Sequence, residues 1–521
     1  MAKPISFGRL EFKVVSSLDE AEGRPDPETP FRILILGDFS GRANRSLFGP
    51  RSLAERRPLL IDRDNLETIM AKLGVEIGLP VAGRDRALVP VAFGELEDFH
   101  PDRIFARLGV FQALRETRKR LADPRTFASA AAEVRGWGGT ATPEAPAERP
   151  SGKGPVAPAL SRPDTAGLLD EIIETTQGGP SEARPAAGAS EWGAFLQEVV
   201  KPHLVPRADP RQGELVAALD ASITALMRTI LHHPDFQAIE AAWRGVHFLV
   251  SRLETDAQLR LYLLDVSKAE LAADLSSTED LRSTGTYRLL VDQTVETPGG
   301  EPWAVVAGTF AFDQSREDGE LLGRMARIAG RGRSPFIASA HPHLVGCESL
   351  LETPDPDDWR RPADADSIRT WEELRRIPEA SYLGLALPRF LLRLPYGRDT
   401  EPTEGFDFEE LTGPPAHEHY LWGNPSVACA CLLGQAFSLD GWDLRPGVVK
   451  DIPGLPLHVF RSQGESRTKP CAEVLLTERA AEIILDRGLV PLLSFRDQDT
   501  VRVARFQSLA DPLRQLAGRW M

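Results

Sequence analysis

The sequence predicts a mixed α/β (α+β) protein with a small α/β domain, a flexible linker and a larger domain in which a sheet is flanked by helices. Short continuous apolar runs, such as residues 32–36, alternate with segments of helical periodicity, which is typical of a mixed or largely parallel sheet. The composition shifts sharply to Pro, Ala and Gly near residue 136 and back near residue 190. We therefore predict domains over residues 1–135 and 191–521, joined by a linker over residues 136–190.

The small domain is predicted to contain four extended segments and two helices. Residues 6–16, 32–36, 75–81 and 87–93 are apolar enough for strands. The second of these runs stops at Gly37, where Gly and Asp favour a turn. One helix begins after Asp64 or Asn65 and buries apolar residues at i, i+3, i+4 and i+7 spacing over residues 66–73. A second helix follows a turn at residues 98–102 and extends to Leu121.

The linker is predicted to be flexible because it has few large apolar residues to offset the entropy of ordering. One amphipathic helix interrupts it near residues 165–176. Its apolar face carries Leu168, Leu169, Ile172 and Ile173. Such a helix either docks back on its own domain or enters a groove on a partner.

The larger domain is predicted to begin with three amphipathic helices over residues 192–204, 215–231 and 236–253. Strands are expected at residues 259–265, 287–292, 303–310 and 334–340, and a helix is expected at residues 321–330. Ser267 and Glu270 have the spacing of a capping box. Trp243 lies on the apolar stripe of its helix and is predicted to be core. Arg244 lies off that stripe, so we predict that it is an interaction residue and that folding tolerates its replacement.

The composition narrows the class of protein. The chain has 521 residues and a net charge of −15, which argues against general nucleic-acid binding. No run approaches the roughly 18 apolar residues of a membrane span, and the first residues lack the apolar core of a secretory signal. Four sparse cysteines without metal-type spacing indicate reduced thiols. These observations predict a soluble, cytoplasmic protein.

The motifs for nucleotide and metal chemistry are incomplete. Residues 37–42 follow a strand but lack the Gly-Lys-Ser/Thr and three-glycine patterns, so they indicate a strand-end turn. Close histidine pairs could contribute to a metal site, but a catalytic zinc usually needs a third ligand, and loop or packing roles explain them equally well. The pairs are His232 and His233, His341 and His343, and His417 and His419.

Catalytic carboxylates and nucleophiles are likewise not indicated. Glu409, Glu410 and Glu418 near Trp422 could suggest a glycosidase pair, but with 76 acidic residues a solvated face is the simpler interpretation. The nucleophile elbow Gly-x-Ser-x-Gly does not occur, and no cysteine has a recognisable nucleophile context. We predict no catalytic residue, no cofactor and no metal, and hence a protein that is not an enzyme.

The first 135 residues resemble the small subunit of the type VI secretion contractile sheath. The resemblance extends from about Ile5 to Arg135. The segments that carry it are residues 30–42, 59–72 and 96–104.

A second resemblance, to the large subunit of the same sheath, extends from about Leu168 to Arg505. Several segments carry it in the right order: residues 230–247, 264–271, 335–340, 385–396, 417–424 and 455–460. In this family the two subunits are normally separate chains that interlock. The resemblance therefore implies a structural fusion protein that works by protomer packing and contraction around an inner tube.

The resemblance also implies partners. These are other sheath protomers, the inner tube protein, the baseplate and a hexameric AAA+ recycling ATPase, which would bind the face formed by Leu168, Leu169, Ile172 and Ile173. A large subunit of this family is expected to continue through a helical segment and a β-rich region beyond Phe506. The alternative function is therefore a non-polymerising adaptor or cap at the sheath end or baseplate. In either case we predict that the two halves pack against each other within one chain.

Overall fold

The computed structural model describes residues 25–80, 88–137, 212–362, 364–413, 416–462 and 464–521. Its strands are β1 Phe31–Gly37, β2 Leu59–Ile61, β3 Val75–Pro80, β4 Leu88–Phe93, β5 Leu259–Asp265, β6 Val305–Phe312, β7 Phe336–Ala340, β8 Leu383–Leu387, β9 Phe390–Leu391, β10 Trp422–Gly423, β11 Asp451–Ile452, β12 His458–Ser462, β13 Glu465–Lys469, β14 Val490–Ser494 and β15 Val501–Val503.

Nine of these strands form one sheet in the order β11-β15-β14-β8-β7-β6-β1-β5-β2. The six strands from β14 to β5 are parallel to their neighbours. The edges are antiparallel, with β2 against β5 on one side and β15 and β11 on the other. Three two-stranded pairs, β3–β4, β9–β10 and β12–β13, lie outside this sheet. The predicted mixed sheet with flanking helices is confirmed.

Helices cover the sheet. Those of seven or more residues are α1 Leu66–Leu73, α2 Pro101–Arg107, α3 Gly109–Ala122, α4 Phe127–Trp137, α5 Gln212–Leu231, α6 Pro234–Arg252, α7 Lys268–Ser276, α8 Arg316–Gly332, α9 Ala365–Arg376, α10 Pro425–Asp440 and α11 Glu478–Asp486, with a π-helix at Arg288–Glu296. Helix α10 lies on β1, β6, β7 and β8. It is apolar over most of its length because it is buried on nearly every side.

The sheet separates two apolar cores. Successive side chains of a strand point to opposite faces. Ile33 and Ile35 of β1 therefore enter the core that contains α6 and α10, whereas Leu34 and Leu36 enter the core that contains α8. Strand β1 thus contributes to both.

Most of the elements expected from the sequence are confirmed. The helix expected over residues 66–73 is α1, which ends at Gly74 in the left-handed conformation. Ser267 and Glu270 form the expected capping box at the start of α7. Residues 6–16, 192–204 and the linker beyond Trp137, including the predicted helix near 165–176, lie outside the described residues.

Two expectations about secondary structure are wrong. Residues 287–292 form part of a helical segment that continues into the π-helix, not a strand. Leu289, Leu290 and Val291 are consecutive and all buried, and such a run does not distinguish a buried strand from a buried helix. The single helix expected up to Leu121 is broken, because Leu108 is extended between α2 and α3.

None of the helices in the described ranges is by itself long and apolar enough to cross a membrane. Helices α5 and α6 pass that test only as a pair, and the pair is bent by 64°.

Candidate functional site

The first half of the described chain, residues 25–137, and the second half, residues 212–521, meet inside the large sheet, near the edge formed by β2. Strand β1 of the first half lies between β5 and β6 of the second. Phe31 to Gly37 pair in parallel with Leu259 to Asp265, and Ile33 to Leu36 pair with Val305 to Gly308. We call β1, the turn after it and their partners in the second half the junction.

Burial of β1 favours this arrangement. Phe31, Ile33, Leu34, Ile35 and Leu36 are at most 1% exposed. Full burial of one such side chain contributes about 1.5–3 kcal/mol, so five of them account for a substantial part of the association of the halves. A continuous apolar run is expected for a parallel strand that is covered on both faces.

The turn after β1 is held by the second half. Asp265, the last residue of β5, accepts hydrogen bonds from the backbone amides of Phe39 (2.9 Å) and Ser40 (3.1 Å) and from the Ser40 hydroxyl (2.7 Å). Gly37 leaves no room for a side chain, since an added Cβ would lie 2.4 Å from the Thr309 hydroxyl oxygen. Residues 37–42 are a strand-end turn, and their polar groups bind protein.

Next to this turn, a carboxylate of the second half forms ion pairs with two arginines of the first half. Glu270 of α7, whose side chain is fully buried, accepts hydrogen bonds from Arg42 Nε and Nη2 (both 3.0 Å) and from Arg56 Nη2 (2.6 Å). It also accepts from the backbone amides of Gly49 and Ser267. Burial alone would raise the pKa of Glu270, but the bonds from Arg56 and Arg42 hold it far below its ordinary value.

Helix α6 supports the junction through Trp243. The indole is fully buried, and its Nε1 donates a 2.8 Å hydrogen bond to the carbonyl of Phe39. The two rings also meet edge to face with centroids 5.6 Å apart. The prediction that Trp243 is core is confirmed, and its role extends to the other half of the chain.

The helices of the two halves also dock on each other. Arg118 of α3 forms a two-pronged ion pair with Asp220 of α5, at 2.6 and 3.0 Å. The Gln212 amide donates to the carbonyls of Leu121 and Ala122, so α5 begins beside the end of α3. The first described residue of the second half therefore lies against α3 of the first half.

The two halves correspond to two known protein families. Residues 12–135 match the family described as type VI secretion system, VipA, VC_A0107 or Hcp2. Residues 213–510 match the family described as VipB, the EvpB/VC_A0108 tail sheath N-terminal domain.

The chain belongs to the type VI secretion tail sheath family. It is 36% identical over 304 residues to the type VI secretion system sheath protein TssC1 of Pseudomonas aeruginosa. That alignment covers 57% of this chain and 61% of the relative, so the chain spans less than two thirds of its relative's length. The resemblance stated from the sequence is confirmed: a VipA-like region and a VipB-like region occur in one polypeptide and share one sheet.

The VipB-like half contains a buried ion cluster that the sequence did not indicate. Arg393 Nε donates to Glu240 at 2.8 Å, and Arg393 Nη1 donates to Glu410 at 2.7 Å. All three side chains are at most 4% exposed. Burial would raise the pKa of Glu410, but the Arg393 charge and the nearby His232 hold it at about 2. The cluster ties α6 to the segment after β9.

Arg244 belongs to this cluster, so the prediction of a replaceable interaction residue is wrong. Its Nε donates to Glu240 at 2.7 Å and its Nη2 donates to the Tyr396 hydroxyl at 3.0 Å. Only 20% of its side chain is exposed. A position off the apolar stripe is not necessarily a surface position when the helix is covered on more than one side.

The carboxylates considered for catalysis have structural surroundings. Glu410 is buried, which contradicts the expected solvated face, whereas Glu409 and Glu418 are exposed. Both Glu410 oxygens accept from Arg393, and one also accepts from the Tyr396 amide at 2.7 Å. A carboxyl with so low a pKa stays ionised near neutral pH and cannot act as a general acid.

The histidines of the predicted pairs make separate contacts with neighbouring side chains. His232 stacks on His419 with ring centroids 3.9 Å apart, and His343 bonds to Glu348 at 2.8 Å. Among the residues that the structure describes, no three His, Cys, Asp or Glu side chains form a group that could hold a metal ion. The four cysteines are free and buried, and burial raises the pKa of Cys347 to about 11.

The predicted ATPase-binding residues Leu168, Leu169, Ile172 and Ile173 lie outside the described residues. The contacts between the two halves at the junction were found only from the structure. The sequence indicated Glu270 only as a member of the capping box that begins at Ser267. Nothing in the sequence placed Arg42 or Arg56 beside it.

Proposed function

We propose that this chain is a structural, non-enzymatic subunit of a cytoplasmic type VI secretion sheath that delivers the small-subunit and large-subunit parts as one polypeptide. Its work is mechanical. Protomers pack around an inner tube and pass between extended and contracted packings, which requires two arrangements of rigid interfaces and no reaction at a residue. No cofactor or metal is required. The partners are other sheath protomers, the inner tube protein and the baseplate.

One observation carries the proposal. The strand that lies between β5 and β6 is β1, which comes from the VipA-like half. The VipB-like half alone would leave a gap between β6 and β5, with the backbone groups that face this gap unpaired. The two parts are thus joined through one continuous sheet, which suits a protomer that carries a mechanical load.

Electron microscopy of the purified full chain tests this proposal. Tubes or stacked rings are the expected result. Discrete particles of uniform size, from a sample whose circular dichroism shows a folded protein, would instead support the adaptor or cap at the sheath end or baseplate. Ile35→Asp places a charge in the core of the junction and should abolish tubes. Glu320→Gln, in an exposed pair with Arg316, is the matched control and should leave them unchanged.

We also propose that residues 165–176 present a helix to a hexameric AAA+ ATPase that recycles contracted sheaths. The four apolar residues Leu168, Leu169, Ile172 and Ile173 would insert in a groove, with Asp170 and Glu171 exposed. The support is the helical spacing of the apolar residues and their position between two segments of low apolar content.

A double substitution tests the ATPase contact. Leu169→Asp with Ile172→Asp adds two charges to the binding face and should abolish ATPase binding in a pull-down or titration. Asp170→Asn with Glu171→Gln changes the same segment on its exposed side and should preserve binding. Unchanged affinity of the first variant would refute the contact. A lowered melting temperature would show instead that the helix packs within the fold.

A further inference from the structure

A lysine, a histidine and a glutamate form a chain of contacts at the base of the β12–β13 hairpin. Lys469, the last residue of β13, lies with its Nζ 3.2 Å from Nδ1 of His417. The other ring nitrogen of His417, Nε2, lies 3.1 Å from a carboxylate oxygen of Glu473. This order of carboxylate, imidazole and nucleophile is the arrangement by which proteins activate weak nucleophiles.

The protonation states in this chain follow from Glu473. Its carboxylate accepts from the backbone amide and the guanidinium of Arg389 as well as from His417. Burial would raise the pKa of Glu473, but these bonds hold it at about 2, so it is an acceptor only. Because Glu473 only accepts, His417 donates to it from Nε2, and in that tautomer Nδ1 is the acceptor that faces the lysine.

The surroundings of Lys469 favour the uncharged amine. The side chain is half-buried, and its Nζ lies over the neighbouring rings of Tyr420 and Trp422, 5.4 and 5.3 Å from their centroids. Burial lowers the pKa of Lys469 more than the charges of Glu473 and Glu418 raise it. A lysine that is partly desolvated has a larger neutral fraction near neutral pH, and the neutral amine is the nucleophile.

We propose that Lys469 is a reactive amine that is modified preferentially by activated acyl compounds, such as acyl phosphates and thioesters. The Nζ lone pair attacks the acyl carbonyl carbon and forms an amide C–N bond. The bond from that carbon to the phosphate oxygen or thioester sulfur breaks, and the leaving group departs with the electron pair. The proton lost by nitrogen passes to His417 Nδ1 and then to the leaving group or water.

Each group has a distinct role in this step. Lys469 is the nucleophile, and His417 takes its proton. Glu473 is a positioning residue that orients the ring through Nε2 and stabilises the imidazolium that forms. Arg389 fixes the carboxylate in turn. The site is independent of the junction and of the proposed role in a sheath.

Limited acylation of the full chain tests the proposal. The chain contains nine lysines, so peptide mapping by mass spectrometry can follow each one separately. With a limiting amount of acetyl phosphate, and separately of acetyl coenzyme A, the initial rate at Lys469 should exceed the rates at the exposed Lys72 and Lys450 by roughly threefold or more near pH 8. Equal or slower modification of Lys469 with both reagents would overturn the proposal. Faster modification with only one of them would identify the donor class.

Two variants test whether His417 activates Lys469 or whether the location of Lys469 alone explains its reactivity. His417→Ala removes the base and should lower the Lys469 rate at least threefold, whereas His247→Ala, an exposed histidine on α6, should not change it. If His417→Ala loosens the hairpin, the pH dependence of the acylation rate at Lys469 in the wild-type chain still tests the proposal. The midpoint for Lys469 should lie below the ordinary lysine value of about 10.4, and a midpoint at that value would show that Lys469 is only a structural anchor.

Discussion

The indole nitrogen of Trp243 donates a hydrogen bond of 2.8 Å to the backbone carbonyl of Phe39, 204 residues earlier in the chain. This bond joins the VipB-like half to the turn that follows the central strand of the VipA-like half. The first prediction concerns this pair. Trp243→Ala should lower the free energy of unfolding by about 3–5 kcal/mol, because it leaves a large cavity and an unpaired carbonyl. Urea denaturation followed by circular dichroism measures the change. His247→Ala, on the exposed side of the same helix, should change it by less than about 0.5 kcal/mol.

Glu270 is predicted to be essential for the junction. Glu270→Gln keeps the size of the side chain but leaves the guanidinium groups of Arg42 and Arg56 without their shared carboxylate. Loss of one partner from a buried ion pair costs about 3–5 kcal/mol. The exposed pair between Arg316 and Glu320 provides the control, and Glu320→Gln should cost less than about 0.5 kcal/mol. Similar unfolding midpoints for the two variants would contradict the assigned role of Glu270.

The buried Glu410 is predicted to contribute to the acid sensitivity of the fold. Its pKa is about 2 in the folded protein, whereas an unfolded glutamate titrates near about 4.3. A lowered folded-state pKa means that the stabilisation is complete above the unfolded value and is lost as the pH falls toward 2. The difference in urea midpoint between wild type and Glu410→Gln should therefore shrink from pH 6 to pH 3. Glu409→Gln, at the exposed neighbour, is the control and should change the urea midpoint less than Glu410→Gln does at pH 6. A difference in urea midpoint between wild type and Glu410→Gln that stays constant from pH 6 to pH 3 would contradict the prediction.

The two halves are predicted to remain associated after the chain is cut between them. A protease site placed between residues 138 and 211 should yield two fragments that elute together from a sizing column, because β1 stays paired on both sides. With Ile35→Asp the same cut should release the fragments. Separate elution of the wild-type fragments would show that the covalent connection holds the halves together.

The sequence predicted local structure well and long-range partnerships poorly. Helix α1 could be placed because its apolar spacing, its polar start and Gly74 at its end all agree. The alternation of strands and helices similarly indicated the sheet. Residues 287–292 were misassigned because a short apolar run is compatible with both a buried strand and a buried helix.

The polar contacts of the site could not be predicted because they depend on which distant segments meet. Arg42 and Glu270 are 228 residues apart, and Arg393 and Glu240 are 153 apart. Charged residues are usually exposed, so a single sequence favours a surface position for each of them. The resemblance to two interlocking subunits was the only indication that the halves meet, and it named no pair of residues.

The central position of β1 has a consequence during synthesis of the chain. Ile33 leaves the ribosome 272 residues before Val305, its partner on β6. At a translation rate of about 5–20 residues per second, that strand waits roughly 14–54 seconds for its second neighbour. Both backbone edges of this apolar, β-forming run are unsatisfied until β5 emerges, and the edge that pairs with β6 stays unsatisfied after that, which is the condition for non-native strand pairing. A newly made chain is therefore exposed to aggregation until β6 has emerged, and cellular chaperones that bind short apolar segments would act on residues 31–36 first.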